Sequence, residues 1–162
     1  MKTLLVVWHS ATGGARQMAE AAARGAADPE IIVRLVLARD ASADDLLTAE
    51  GYIFATPENL AALAGVMKDF FDRTYYPVLE RLNGRPFATL ICAGSDGENA
   101  ARQIARIATG WRLRAIAAPV IIRTNAQTPE TIAAPKTISA ADLQRCEEIG
   151  ATMAAGLAAG IF

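Results

Sequence analysis

One short segment holds most of the residue chemistry in this chain. It reads His9-Ser10-Ala11-Thr12-Gly13-Gly14-Ala15 and joins an apolar run, Leu4–Trp8, to a helical pattern. Ser10 and Thr12 supply hydroxyls. Gly13 and Gly14 let backbone N–H groups come close to an anion. A helix that starts here adds the partial positive charge of its N-terminus. These features suit a phosphate held without any lysine. No Gly-Lys-Ser/Thr follows, so the segment is not a Walker A loop, and it does not match G-x-G-x-x-G. The competing reading is a tight strand-to-helix turn capped by Ser or Thr. Two readings also stand for His9, the only histidine: contact with phosphate or substrate, or a loop residue bonded to backbone. Arg16 sits in the first helical turn, where the helix dipole disfavours a cation, and is either an anion contact or a solvated side chain.

Apolar runs and helical patterns alternate along the chain five times. Leu4–Trp8 has the unbroken apolar character of a strand buried on both faces. Ala15, Met18, Ala19, Ala22, Ala23 and Ala26 repeat at helical spacing, and Asp28-Pro29 ends that helix. Ile31–Leu37 is the second strand. Ser42–Thr48 is a short helix with Ser42 and Asp45 at capping-box spacing. Tyr52–Thr56 is the third strand, cut off by Pro57. Leu60, Leu63, Ala64, Met67, Phe70 and Phe71 predict an amphipathic helix. Phe87–Ala93 and Ala115–Ile122 are the fourth and fifth strands, with a helix lined by Ala100, Ile104, Ile107, Ala108 and Trp111 between them. The last helix falls near Ser139–Leu157.

This alternation predicts one α/β domain over residues 1–162: a doubly wound, five-stranded parallel sheet with helices on both faces. In the order 2-1-3-4-5 the edge strands are those carrying Arg34 and Pro119, residues an edge tolerates. Ligands in such sheets bind beyond the carboxyl ends of the strands at the switch point. The loops there are residues 9–15, 57–61 and 94–99.

Ser10-Ala11-Thr12-Gly13-Gly14 resembles the phosphate loop of flavodoxins and flavodoxin-like reductases, with Ala15 where that family has a threonine. Ala55-Thr56-Pro57-Glu58-Asn59-Leu60, followed by Gly65-Val66-Met67-Lys68-Asp69-Phe70-Phe71-Asp72-Arg73, resembles the second loop and helix of the family's NAD(P)H-dependent FMN and quinone reductases. Ala93-Gly94-Ser95-Asp96-Gly97 falls where the third flavin loop lies. The resemblance implies flavin mononucleotide (FMN) as bound cofactor and a flavodoxin-like fold. The phosphate would lie on Ser10, Ala11, Thr12, Gly13, Gly14 and Ala15. Thr56, Pro57, Glu58, Asn59 and Leu60 would flank the ribityl chain and ring. Ala93, Gly94, Ser95, Asp96 and Gly97 would line the pyrimidine side. The flavin carries the redox chemistry, so no catalytic side chain is required.

The implied activity is transfer of hydride from NAD(P)H through FMN to a quinone or other small acceptor. The second and third loops contain no aromatic residue to sandwich the ring, and a formal net charge of −1 gives no strongly acidic docking face. Two alternatives stand: a flavodoxin-type one-electron carrier with a protein partner, and a binding module of the same fold without flavin. The charge also gives no case for nucleic acid or anionic membranes. Cys92 and Cys146 lie far apart and form no metal-type pair, so they read as reduced, buried thiols of a cytoplasmic protein. The N-terminal apolar run is too short for a signal-peptide core. A homodimer or higher homo-oligomer is the expected assembly.

Overall fold

Leu4, Leu5, Val6 and Val7 are fully buried because β1 (Lys2–Trp8) runs through the middle of a sheet. Successive side chains point to opposite faces, so Leu5 and Val7 enter one core and Leu4 and Val6 the other. The computed structural model describes all residues 1–162. After β1 come α1 (Gly14–Gly25), β2 (Ile31–Leu37), α2 (Ala43–Thr48), β3 (Gly51–Asn59), β4 (Ala62–Leu63) and α3 (Gly65–Thr74). They are followed by β5 (Pro86–Ala93), α4 (Glu98–Gly110), β6 (Arg114–Ala115), β7 (Val120–Arg123), α5 (Pro129–Ala133) and α6 (Ala140–Ala159).

The sheet order is β2-β1-β3-β5-β6, and β7 also pairs with β5, further along that strand. All pairings are parallel except the β3–β4 hairpin. This is the expected 2-1-3-4-5 order, with the fifth strand broken in two. Pro119 therefore lies in the gap between β6 and β7, not inside a paired strand as the sequence pattern suggested, and it has no ladder bond to lose. At the other edge, Arg34 on β2 reaches Asp45 at 2.6 Å. Ser42 and Asp45 form the expected capping box of α2.

One core joins α3 and α4 to the sheet through Phe54, Phe70, Phe71 and Trp111, whose rings meet edge-on or tilted. Tyr75 stacks on Trp111, while Tyr76 is exposed. Lys68 and Asp72 form a surface pair at 2.7 Å. The opposite core joins α1 and α6. There Gly25 and Gly150 allow the helix backbones to touch: a Cβ on Gly25 would collide with the Glu147 carbonyl, and one on Gly150 with the Ala22 carbonyl.

The third strand does not stop before Pro57. It continues to Asn59, and α3 starts at Gly65, so Leu60 and Leu63 are not helical. The reason lies in the register. Trp8 opposite Ala55 is the last β1–β3 pair, with the His9 N–H donating to the Ala55 carbonyl. Two residues on, Pro57 faces the same side, where β1 has ended, so its missing N–H breaks no ladder bond. The chain then reverses at Leu60 (φ 50°) and Ala61 (φ 61°) and returns as β4. Positive φ at both central residues is what a two-residue I′ hairpin needs. No helix is long and apolar enough to cross a membrane.

Candidate functional site

The first loop is shaped by its glycines. Gly13 is the N-cap of α1 at φ 93°, and its N–H donates to the Ser10 hydroxyl oxygen at 3.0 Å. A side chain on Gly14 would strike the Cys92 Sγ, so this glycine lets α1 sit against β5 as well as exposing its own amide. The N–H groups of Ala11 and Thr12 have no acceptor within the protein. Gly14 and Ala15 are first-turn residues, whose N–H groups a helix leaves free. Ala15 is buried with its methyl in the α1–α6 core, so only its amide is offered.

Glu58 fixes the second loop to the third. Its carboxylate accepts from the Gly97 N–H at 2.9 Å and the Ala100 N–H at 3.3 Å. Gly97 is the N-cap of α4 at φ 97° and has no side chain to cap with, so Glu58 caps the helix from across the site. Asn99 Nδ2 donates to the Ala61 carbonyl at 2.6 Å, and the Leu63 N–H donates to Gln103 Oε1 at 2.9 Å. The hairpin is thus tied to α4 at three points. Thr56 is fully buried, with its hydroxyl donating to the Pro57 carbonyl at 3.1 Å.

The third loop is held by the strand beside it. The Thr124 N–H donates to the Ala93 carbonyl at 2.9 Å and the Asn125 N–H to the Gly94 carbonyl at 2.8 Å. The N–H groups of Gly94, Ser95 and Asp96 have no acceptor in the protein.

A cavity of about 450 Å³ opens where the three loops meet. Thr12, Pro57, Glu58, Asn59, Leu60, Ala61, Cys92, Ala93, Gly94 and Ser95 line it, together with Thr124, Ala126, Ile132 and Lys136. A second hollow of about 370 Å³ borders the other side of the first loop, against Trp8, Ser10, Ala11, Thr12, Gly13, Arg16, Ala133 and Pro135. Of the residues expected at the site, Gly14, Ala15, Thr56, Asp96 and Gly97 line neither space. Nor does His9, which is half-buried and bonded through its N–H to Ala55; burial, then Arg39, lower its pKa. Arg16 pairs loosely with Glu20 at 3.8 Å.

A lysine that the local sequence does not mark stands against the first loop. The Lys136 N–H donates to the Thr12 carbonyl at 2.8 Å, and its Nζ lies 3.3 Å from Thr12 Oγ1. No spacing pattern links residues 124 positions apart. Cys92 was also not foreseen at the site. Burial raises its thiol pKa, with Lys136 pulling the other way.

The donor set fits a phosphorylated flavin. Thr12 of the glycine-shaped first loop lines both the three-loop cavity and the hollow beside it, and Gly94 and Ser95 of the third loop bring free amides to the cavity. Residues 10–128 match the model of the family described as NADPH-dependent FMN reductase. The chain belongs to that family. As a member of it, the chain is 35% identical to a protein named flavodoxin from Aquifex aeolicus (strain VF5), over 59% of this chain and 50% of that one. It is also 35% identical to a protein named NAD(P)H dehydrogenase (quinone) from Acidithiobacillus ferrooxidans (strain ATCC 53993 / BNL-5-31), over 46% of this chain and 48% of that one. The chain thus spans about half the length of the curated relatives it matches. Among solved structures, a flavodoxin from the domain Archaea superposes with a TM-score of 0.78 at 23% identity, covering 96% of this chain and 99% of that one. A WrbA-like flavodoxin from Agrobacterium tumefaciens gives 0.73 at 21% identity, covering 96% of each. These likenesses establish the flavodoxin-like fold.

Proposed function

We propose that this family member is a single-domain FMN-binding oxidoreductase that passes hydride from NAD(P)H to a quinone or another small acceptor. FMN, when bound, supplies the acceptance and donation of hydride. The protein supplies position and electrostatics. The amides and hydroxyls of Ser10–Ala15 hold the phosphate. The hairpin braced by Glu58 and Asn99 forms one wall, including Pro57, Asn59 and Leu60. The free N–H groups of Gly94 and Ser95, which line the cavity, are donors for the electron-rich edge of the ring system. No step calls for a protein acid or base.

The observation that carries the reading is the absence of any Phe, Tyr or Trp among the residues lining the 450 Å³ cavity. No protein ring would cover both faces of a flavin there, which leaves a face for nicotinamide or quinone to stack on in turn. Purified protein loaded with FMN should oxidise NADH or NADPH when a quinone is supplied. Failure with both donors across benzoquinone and naphthoquinone acceptors would end this reading.

A second reading is favoured by the equal identity to a protein named flavodoxin: a one-electron carrier with a protein partner. Reductive titration separates the two. A carrier takes up electrons in two resolved one-electron steps, and the reductase in a single two-electron step.

A further inference from the structure

Beside the first loop stands a cation with no anion. The Lys136 ammonium donates to the carbonyls of Ile132 and Ala134, at 2.9 and 2.5 Å, and lies 3.3 Å from Thr12 Oγ1. All three partners are neutral oxygens, and Lys136 forms no ion pair, whereas the other nearby cation, Arg16, already faces Glu20. The placement is built rather than incidental. Besides the Lys136 N–H bond to Thr12, Gln17 Nε2 donates to the Lys136 carbonyl at 2.7 Å, and Gln17 Oε1 accepts from the Ile138 N–H at 3.0 Å. Gln17, in the first turns of α1, therefore grips the backbone just after the Lys136 side chain, at the Lys136 carbonyl and the Ile138 N–H, while Thr12 takes the Lys136 N–H.

The loop itself offers a phosphate only neutral donors, and Ala15 adds no hydroxyl. A phosphate monoester carries nearly two negative charges at neutral pH. A charge-assisted bond is about twice as strong as a neutral one, so the ammonium gains by exchanging a carbonyl for a phosphate oxygen. Because Nζ already lies beside the Thr12 hydroxyl, that exchange needs only a side-chain rotation.

We propose that Lys136 is the cationic partner of the cofactor's phosphate, and that Gln17 is the positioning residue that holds it there. The assignment rests on the FMN reading above. It makes the ammonium the feature by which the site separates phosphorylated from unphosphorylated flavin.

The test titrates the wild type, Lys136→Gln and Lys136→Arg with FMN, riboflavin and inorganic phosphate. Flavin fluorescence follows the first two, and tryptophan fluorescence, with Trp8 beside the loop, follows the third. Urea midpoints check that each variant is folded. Lys136→Gln should bind FMN about tenfold or more weakly, and Lys136→Arg within about threefold of wild type. Riboflavin affinity should stay within about twofold, and added salt should weaken FMN binding to wild type more than to Lys136→Gln. Unchanged FMN affinity in Lys136→Gln overturns the proposal. So does an equal loss of FMN and riboflavin, which would make Lys136 a structural prop. If wild type binds neither flavin but binds phosphate in a Lys136-dependent way, the FMN reading fails and takes the cofactor assignment with it, leaving Lys136 as a ligand for phosphate alone. If phosphate is not bound either, that role fails too.

Discussion

Replacing Glu58 with alanine should loosen the site and the fold together, by a calculable amount. The wild-type carboxylate makes one good bond, 2.9 Å to the Gly97 N–H, and one near the limit of useful length, 3.3 Å to the Ala100 N–H. Bonds to a charged acceptor contribute about 1.5–3 kcal/mol each when well formed. The weaker bond adds little, and because Glu58 is only half-buried, water partly replaces what is lost. A total of about 1.5–2.5 kcal/mol follows, in line with losses of about 0.5–2 kcal/mol for helix N-caps. At about 2–4 °C per kcal/mol for a chain of this size, the melting temperature falls by about 3–10 °C. Glu58→Gln keeps an acceptor oxygen but gives up the charge facing the helix dipole, and should lose only about 0.3–1 kcal/mol. Urea titration followed by circular dichroism gives both values, with the slope unchanged. Hydrogen exchange locates the effect: the Gly97 and Ala100 amides should exchange faster in Glu58→Ala, and those at the far end of α4 should not. A loss below about 0.5 kcal/mol, or faster exchange spread evenly along α4, would refute the capping role.

Gly150→Ala should cost about 1–3 kcal/mol, read as a lower urea midpoint, because the new methyl meets the backbone of α1 and one helix must move. Ala61→Gly should raise stability by about 0.5 kcal/mol, since relief of left-handed strain outweighs the entropy glycine adds to the unfolded chain; a lower midpoint would contradict the hairpin geometry. Stability should fall in alkali. Burial pushes the Cys146 thiol and the Tyr52 phenol up to about 12 and also raises Cys92, whereas unfolded thiols ionise near about 8.5 and phenols near about 10. The folded state keeps those protons while the unfolded state releases them. The contribution is therefore fully present below about pH 8.5 and is lost as pH rises toward the folded values, at about 1.4 kcal/mol per pH unit for each group concerned. Urea midpoints between pH 7.5 and 10.5 check this: Cys146→Ala should flatten the fall, and a flat wild-type profile would disprove it.

Parts of this molecule are written locally and parts are not. The run Leu4–Val7 announces a central strand because both of its faces need apolar cover. Ser42 and Asp45 announce a helix start because the two bonds they exchange span only three residues. Leu60 misleads for a physical reason. Leu60, Leu63, Ala64 and Met67 fall at helical spacing, yet Leu60 is fully exposed at a hairpin tip. The turn that puts it there uses leucine and alanine at positive φ, without the Asn or Gly that usually marks such a turn. Pro57 reads as a stop until the register shows that β1 has already ended. The three loops of the candidate site could be placed from strand order alone. The bonds joining them could not. Glu58 meets a helix 39 residues on, and Lys136 meets a loop 124 residues back.

That last separation carries a consequence for the order of events in the cell. Lys136, which stands against the Thr12 loop, is made 124 positions after it. At about 5–20 residues per second, the interval is about 6–25 s. Through that time the first strand and helix can form, while the Gln17 clasp has nothing to grip. Any ligand bound between Thr12 and Lys136 would therefore be captured only after the segment carrying Lys136 has been made and folded back onto α1.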